Sequence, residues 1–163
     1  MTTHHTDAAV SPASPGGTAV GIPAGGDLPT PGLTPPAGPD LSPGLMKIAL
    51  AMSEDELLSK ITLGTKREPG ICEQLGLGWI HHRRSQMTNP GWPDLVIKAP
   101  TGRTGILFRE LKKQRGKVTA DQEEWLTALI CDGMDARVWR PEDYLSGRIA
   151  RKLAALAGMR VPA

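Results

Sequence analysis

Two carboxylates and an amine, Asp94, Glu110 and Lys112, stand on two apolar segments that flank a turn. Residues 93–97 and 106–111 read as strands, and Pro100-Thr101-Gly102-Arg103 between them reads as the turn. If the strands fold back symmetrically about Gly102, residues equidistant from it face each other. Asp94 and Glu110 each lie eight positions away. Directly opposed residues have Cβ atoms roughly 4.5–5.5 Å apart. Two carboxylates that close on an apolar sheet repel each other, and a divalent cation resolves the repulsion. Hard cations such as Mg²⁺ take oxygen ligands. Lys112, two residues beyond Glu110, projects from the same face.

The chemistry expected of this trio is phosphodiester hydrolysis. A metal held by Asp94 and Glu110 would polarise a phosphoryl oxygen and acidify a water. Lys112 would orient that water or stabilise developing negative charge. The backbone carbonyl of Leu111 could complete the coordination. Taken separately, Pro-Asp at a strand start is an ordinary turn and Glu-Leu-Lys an ordinary solvated pair. Their shared register between apolar strands makes the combination more specific.

The elements that must position the trio follow in order. Ser53 caps a helix, with Glu56 three residues on, and Leu57, Leu58 and Ile61 form its apolar stripe. Glu54 lies on the inward face of that helix. Residues 71–75 form a short helix ended by Gly76. Residues 79–82 are a first strand, followed by a polar loop to Trp92. A basic loop, 112–118, follows the third strand. Thr119 and Gln122 open a helix that Gly133 stops. Residues 136–139 are a fourth strand, and Pro141 begins a last helix with Leu145, Ile149, Leu153 and Leu156 on its buried face. The class is α/β, a sheet covered by helices on both sides. Arg109 alternates onto a face expected to be buried, and the pattern offers no reason for it.

Composition bounds the rest. The chain has 163 residues, and no Lys or Arg occurs before Lys47. Pro, Gly, Thr and Ala crowd that region, so residues 1–50 read as a disordered tail and 51–163 as the domain. The tail lacks a charged start followed by an apolar run, so it is not read as a signal peptide. No stretch approaches the roughly 18 apolar residues of a membrane span. All 19 basic residues lie beyond residue 46, whereas Asp7, Asp27 and Asp40 lie before it, leaving the remainder net positive. That suits a polyanion partner, DNA, though many such domains bind none. Cys72 and Cys131 form no ligand cluster and suit a reducing, cytoplasmic setting.

The run Gly91-Trp92-Pro93-Asp94-Leu95-Val96-Ile97, then Phe108-Arg109-Glu110-Leu111-Lys112, then Gly116-Lys117-Val118-Thr119-Ala120-Asp121-Gln122, and the closing Val138-Trp139-Arg140-Pro141 resemble the VRR-NUC family of the PD-(D/E)XK superfamily. These are virus-type replication and repair nucleases. The resemblance spans residues 53–157. It implies a restriction-endonuclease-like αβββαβ core with a mixed central sheet flanked by helices. It implies a Mg²⁺- or Mn²⁺-dependent endonuclease acting on DNA, with branched and Holliday-junction DNA among its substrates. Asp94 and Glu110 would bind metal, and Lys112 would be catalytic. Gln122 would help the site, while its bland reading is half of a capping box with Thr119.

Family members also carry a first-helix glutamate. Glu54 fits by its inward face, Glu56 already has a capping role, and residues 65–70 look like an insertion that keeps Glu73 open as a third choice. Arg83, Arg84, Lys113, Arg115 and Lys117 would form a phosphate-contacting rim, or remain solvated loop charges. His81 and His82 lack companions for a zinc site and read as substrate-side or buried hydrogen-bonding residues. Trp92 reads as a packing residue before a base-stacking one. Nothing reads as a recognition helix. A homodimer would suit symmetric cutting of two strands. The competing reading is a catalytically inactive nucleic-acid-binding module.

Overall fold

The structure is a computed structural model, and it describes residues 41–82 and 89–159. The order is α1 (Pro43–Ala51), α2 (Glu54–Ile61), α3 (Ile71–Leu75), β1 (Gly78–His81), β2 (Leu95–Lys98), β3 (Ile106–Leu111), α4 (Ala120–Cys131), β4 (Asp135–Trp139), α5 (Pro141–Leu145) and α6 (Arg148–Leu156). The four strands form one mixed sheet in the order β1-β2-β3-β4. The first two pairings are antiparallel, and β3 pairs with β4 in parallel. A parallel partner needs a crossover, and α4 supplies it.

The β2–β3 register sets the site. Leu95 faces Arg109, Val96 faces Phe108 and Ile97 faces Leu107. This is the pairing symmetric about Gly102, and one step further it places Asp94 opposite Glu110. Gly102 has φ +84, a left-handed conformation open to glycine at the third position of a turn. The Arg103 N–H donates to the Pro100 carbonyl at 3.1 Å and closes that turn. The ladder begins at Leu95 rather than Pro93, because proline has no N–H to give it.

Alternation gives the sheet two differently covered faces. Leu95, Ile97, Leu107 and Leu111 pack with Leu57, Leu58 and Ile61 of α2 and with Ile149 and Leu153 of α6. Each such fully buried aliphatic side chain stabilises by roughly 1.5–3 kcal/mol. Helix α4 covers the opposite face. There Trp92 meets Phe108 and Trp125 edge-on, with centroids 5.8 and 4.8 Å apart. Trp92 is therefore a packing residue.

Three features differ from the sequence reading. Helix α1 lies inside the stretch read as tail. Its start is explained by Ser42, which accepts from the Leu45 N–H, and by Pro43 in the first turn. Ala49 and Met52 are buried, and α1 packs on α5. The single last helix is two, because Gly147 takes φ +74 between α5 and α6. Arg109 is 1% exposed and has a partner the sequence could not reveal. It donates to Asp135 Oδ1 at 2.7 Å and to the Asp135 carbonyl at 2.5 Å, and it lies over the Trp139 ring at 4.6 Å. Burial lowers its pKa, which Asp135 opposes.

Among the described residues no helix is long and apolar enough to cross a membrane. Cys72 is buried, and Cys131 is exposed and free.

Candidate active site

Asp94 sits one residue before β2. Its carbonyl accepts from the His82 N–H at 2.8 Å, which carries the β1–β2 pairing past the end of the strand. Its Oδ2 accepts from the Leu111 N–H at 2.9 Å. The carboxylate thus reaches across the hairpin and is held against the end of β3.

Glu110 is fully buried. Its Oε1 accepts from Lys112 Nζ and from Gln122 Nε2, both at 2.5 Å. Its Oε2 is buried with no partner. Burial pushes the Glu110 carboxyl up to about 7, Lys112 pulls the other way, and the Asp94 charge pushes it further up. Two facing carboxylates hydrogen-bond only if they share a proton. When both are ionised, the buried Oε2 has nothing to compensate it. A buried polar atom left so costs on the order of 1–3 kcal/mol, more when charged.

Lys112 follows the last residue of β3 and is nearly buried, so its amine is committed to Glu110. Gln122 is the third residue of α4, where it completes the capping box and also reaches Glu110. Its carbonyl oxygen accepts from the Thr119 N–H at 2.9 Å, while Thr119 Oγ1 accepts from the Gln122 N–H, completing the capping box. Its amide nitrogen is then left for Glu110.

Glu54, the first residue of α2, is half-buried, and its Oε1 accepts from the Lys113 N–H at 3.0 Å. It lines a cavity of about 300 Å³ together with Asp55, Asp94 and Leu111. Glu56 and Glu73 are exposed, and neither lines that cavity. Of the three glutamates, Glu54 is the one that lines the cavity beside the hairpin. Glu110 does not line the cavity either, since it is fully buried.

The side chains of Lys113, Arg115 and Lys117 stand on exposed positions of the loop after β3. Arg140 fixes that loop by donating to the Lys113 and Gly116 carbonyls, both at 2.8 Å. Gln114 adds a paired contact to Glu142 at the start of α5. Arg83 and Arg84 lie outside the described residues.

Sequence reasoning missed two contributors, Asp55 and Arg140. Asp55 lies next to Glu54 and also lines the cavity. His81 and His82, read from the sequence as substrate-side or buried hydrogen-bonding residues, line it too. Arg140 was quoted only within the closing motif. Its signal was present, because parallel pairing that sets Trp139 beside Leu111 must set Arg140 beside the loop that follows.

Among the described residues, no group of three or more His, Cys, Asp or Glu side chains is gathered to hold a metal. A closed side-chain cage of the zinc kind needs at least that many ligands. Mg²⁺ is different, since it keeps several waters and needs only one or two carboxylates. Asp94, the unpartnered Oε2 of Glu110 and the Leu111 carbonyl are oxygen donors, the chemistry such an ion takes.

The chain matches no protein-family profile, no curated protein and no solved structure.

Proposed function

We propose that this chain is a Mg²⁺- or Mn²⁺-dependent endonuclease that hydrolyses phosphodiester bonds in DNA, built on a restriction-endonuclease-like core and akin to VRR-NUC nucleases. One observation carries the reading. Asp94 and Glu110 face each other at the end of a hairpin, and a fully buried Glu110 oxygen lacks any partner. Lys112 and Gln122 serve Oε1 alone, so a buried Oε2 beside a second carboxylate stays costly, and a cation between the two relieves it.

Asp94, Glu110 and the Leu111 carbonyl would hold the ion, which would supply charge neutralisation and polarise the scissile phosphate. The other residues act around it. Gln122 and Lys112 both grip Glu110 Oε1, which fixes the carboxylate and leaves Oε2 as the free donor. Lys112 places a positive charge beside the site, where it stabilises negative charge growing on the phosphate oxygens. Glu54 is held at the cavity rim by the Lys113 backbone. Lys113, Arg115 and Lys117 meet phosphates on either side of the cut. Water adds to phosphorus, the P–O ester bond breaks, and the leaving oxygen takes up a proton.

A second reading, the inactive nucleic-acid-binding module, draws on the same contacts. Lys112 is already spent on Glu110, and Glu110 does not line the cavity. One experiment separates the two. Wild type and Asp94→Ala are incubated with branched, single-stranded and duplex DNA under Mg²⁺, Mn²⁺ or EDTA. The nuclease reading expects cleavage only by wild type with metal. Cleavage that persists with EDTA or in Asp94→Ala rejects the metal site. Binding without cleavage under every metal establishes the module.

A further inference from the structure

The position of Asp94 is set by the residues that precede it. Asn89-Pro90-Gly91-Trp92 is a turn closed by the Trp92 N–H, which donates to the Asn89 carbonyl at 3.2 Å. Pro90 fixes φ at the second position of the turn. Gly91 takes φ +84 at the third, where a side chain would be strained. Only Trp92 and Pro93 separate this turn from Asp94. Trp92 is wedged edge-on between Phe108 and Trp125, and Pro93 is fully buried. Neither link has room to give, so a shift of the turn is carried on to the Asp94 carboxylate.

Helix α4 holds the turn at two points. The Trp125 indole N–H donates to the Pro90 carbonyl at 3.0 Å. One helical turn earlier, the Asp121 backbone lies against Gly91. A Cβ at Gly91 would stand 2.3 Å from the Asp121 carbonyl carbon and oxygen. Residues four apart share a face of the helix, so both contacts come from one side of α4. From the same first turn Gln122 reaches Glu110 Oε1 at 2.5 Å. One helix therefore places both carboxylates, Glu110 directly and Asp94 through the turn.

We propose that Trp125 is a positioning residue for the candidate site: its indole N–H fixes the turn that aims Asp94 at the end of β3, opposite Glu110. The proposal rests on the reading of Asp94 and Glu110 as metal donors. Trp125 does not line the cavity beside Asp94, so it acts through the main chain of residues 90–93. The ring supplies packing against Trp92, and the N–H supplies direction, because a hydrogen bond fixes both the depth and the angle at which the turn docks.

Two adjacent amides report on Asp94 without metal. The Leu111 N–H donates to Asp94 Oδ2, whereas the Lys112 N–H donates to the Trp139 carbonyl at 3.1 Å. Loosening Asp94 frees the first and leaves the second. The test is amide hydrogen exchange by NMR on the full chain in EDTA, for wild type, Trp125→Phe and Ile149→Val. Trp125→Phe keeps a ring against Trp92 and loses the indole N–H. Ile149→Val loosens the core from α6 and serves as the control for a merely structural effect. Trp125→Phe is expected to speed Leu111 exchange about fivefold, the equivalent of one ordinary hydrogen bond, with Lys112 unchanged. The control is expected to move both amides together or neither.

Calorimetric titration with Mn²⁺ then reads the site itself. Trp125→Phe should bind about tenfold more weakly than wild type, the loss typical of removing an outer partner of a metal ligand, and Ile149→Val should match wild type. Trp125→Tyr repeats both measurements if Trp125→Phe does not fold. Leu111 and Lys112 released together in Trp125→Phe, no change at Leu111, or an unaltered Mn²⁺ affinity overturns the proposal. Release of Leu111 alone in a protein whose wild type binds no Mn²⁺ upholds the positioning of Asp94 by Trp125 and rejects the metal reading instead.

Discussion

The Asp94 carboxylate accepts the Leu111 backbone N–H at 2.9 Å, so the acid of one strand is held by the main chain of the next. The bond brings Asp94 to the residue beside Glu110 and keeps the two carboxylates close despite their repulsion. We therefore predict that Asp94→Asn retains the fold and raises stability at pH 8, since one of two facing charges is removed while the Leu111 N–H keeps an oxygen acceptor. Cleavage should fall by a factor of about 10² or more. A thermal melt and a plasmid-nicking assay on the same preparation check both halves.

Glu110 gives a pH prediction with a definite sign. Its carboxyl is pushed up to about 7, above its ordinary value of 4.5, chiefly by burial. Between those values the folded state holds a proton that the unfolded state has lost, so stability falls as pH rises through that window. Glu110→Gln cannot ionise, and its melting temperature should lose that part of the pH dependence. Metal competes with the same proton, so Mg²⁺ or Mn²⁺ should raise the wild-type melting temperature more at pH 8 than at pH 6. An equal shift at both pH values would contradict this.

Gln122 lets two roles be separated. Gln122→Glu keeps a carboxylate oxygen for the Thr119 N–H but removes the amide that donates to Glu110. Activity should drop at least tenfold, with the helix start intact. Gln122→Ala loses both contacts and should also cost roughly 1 kcal/mol of stability through the cap. Denaturant titration beside the cleavage assay distinguishes the variants.

Asp135 is the partner of buried Arg109, and it also meets Lys152 at 2.5 Å. Burial pushes the Asp135 carboxyl up, but Lys152 and Arg109 hold it below its ordinary value overall. Its contribution is present above the usual carboxylate range and is lost as pH falls through the depressed value. Asp135→Ala leaves Arg109 charged and unpaired. We expect a cost of about 2 kcal/mol at pH 7, less than for a fully sealed pair because Asp135 retains some solvent contact. The difference from wild type should shrink below pH 4 in denaturant titrations.

The hairpin was legible because its information is local. Gly102 marks the turn, and the apolar residues on either side fix the register, so Asp94 faces Glu110 without reference to the rest of the chain. Glu54 was legible by helical periodicity, whereas the offset of Gln122 from Thr119 gave its capping box and only the resemblance pointed it to the site. The Arg109–Asp135 pair was not, since 26 residues and a parallel crossover separate the partners. Helix α1 was missed because Pro and Gly before it resemble a linker, while its anchor is tertiary packing on α5. The division of Glu110 into one gripped oxygen and one free one is a matter of side-chain geometry that no spacing rule encodes.

The parallel pairing of β3 with β4 also orders events in time. Every side chain of the candidate site is synthesised by Gln122, but β4, which clasps β3, comes afterwards. A chain emerging from the ribosome thus holds its reactive groups before it holds their frame. Until residues 135–140 arrive, β3 is an open edge, Arg109 has no carboxylate, and the loop bearing Lys113 lacks Arg140. The last strand is therefore what completes the frame, so a chain cut short before residue 135 would keep every residue of the candidate site and lose the element that clasps it.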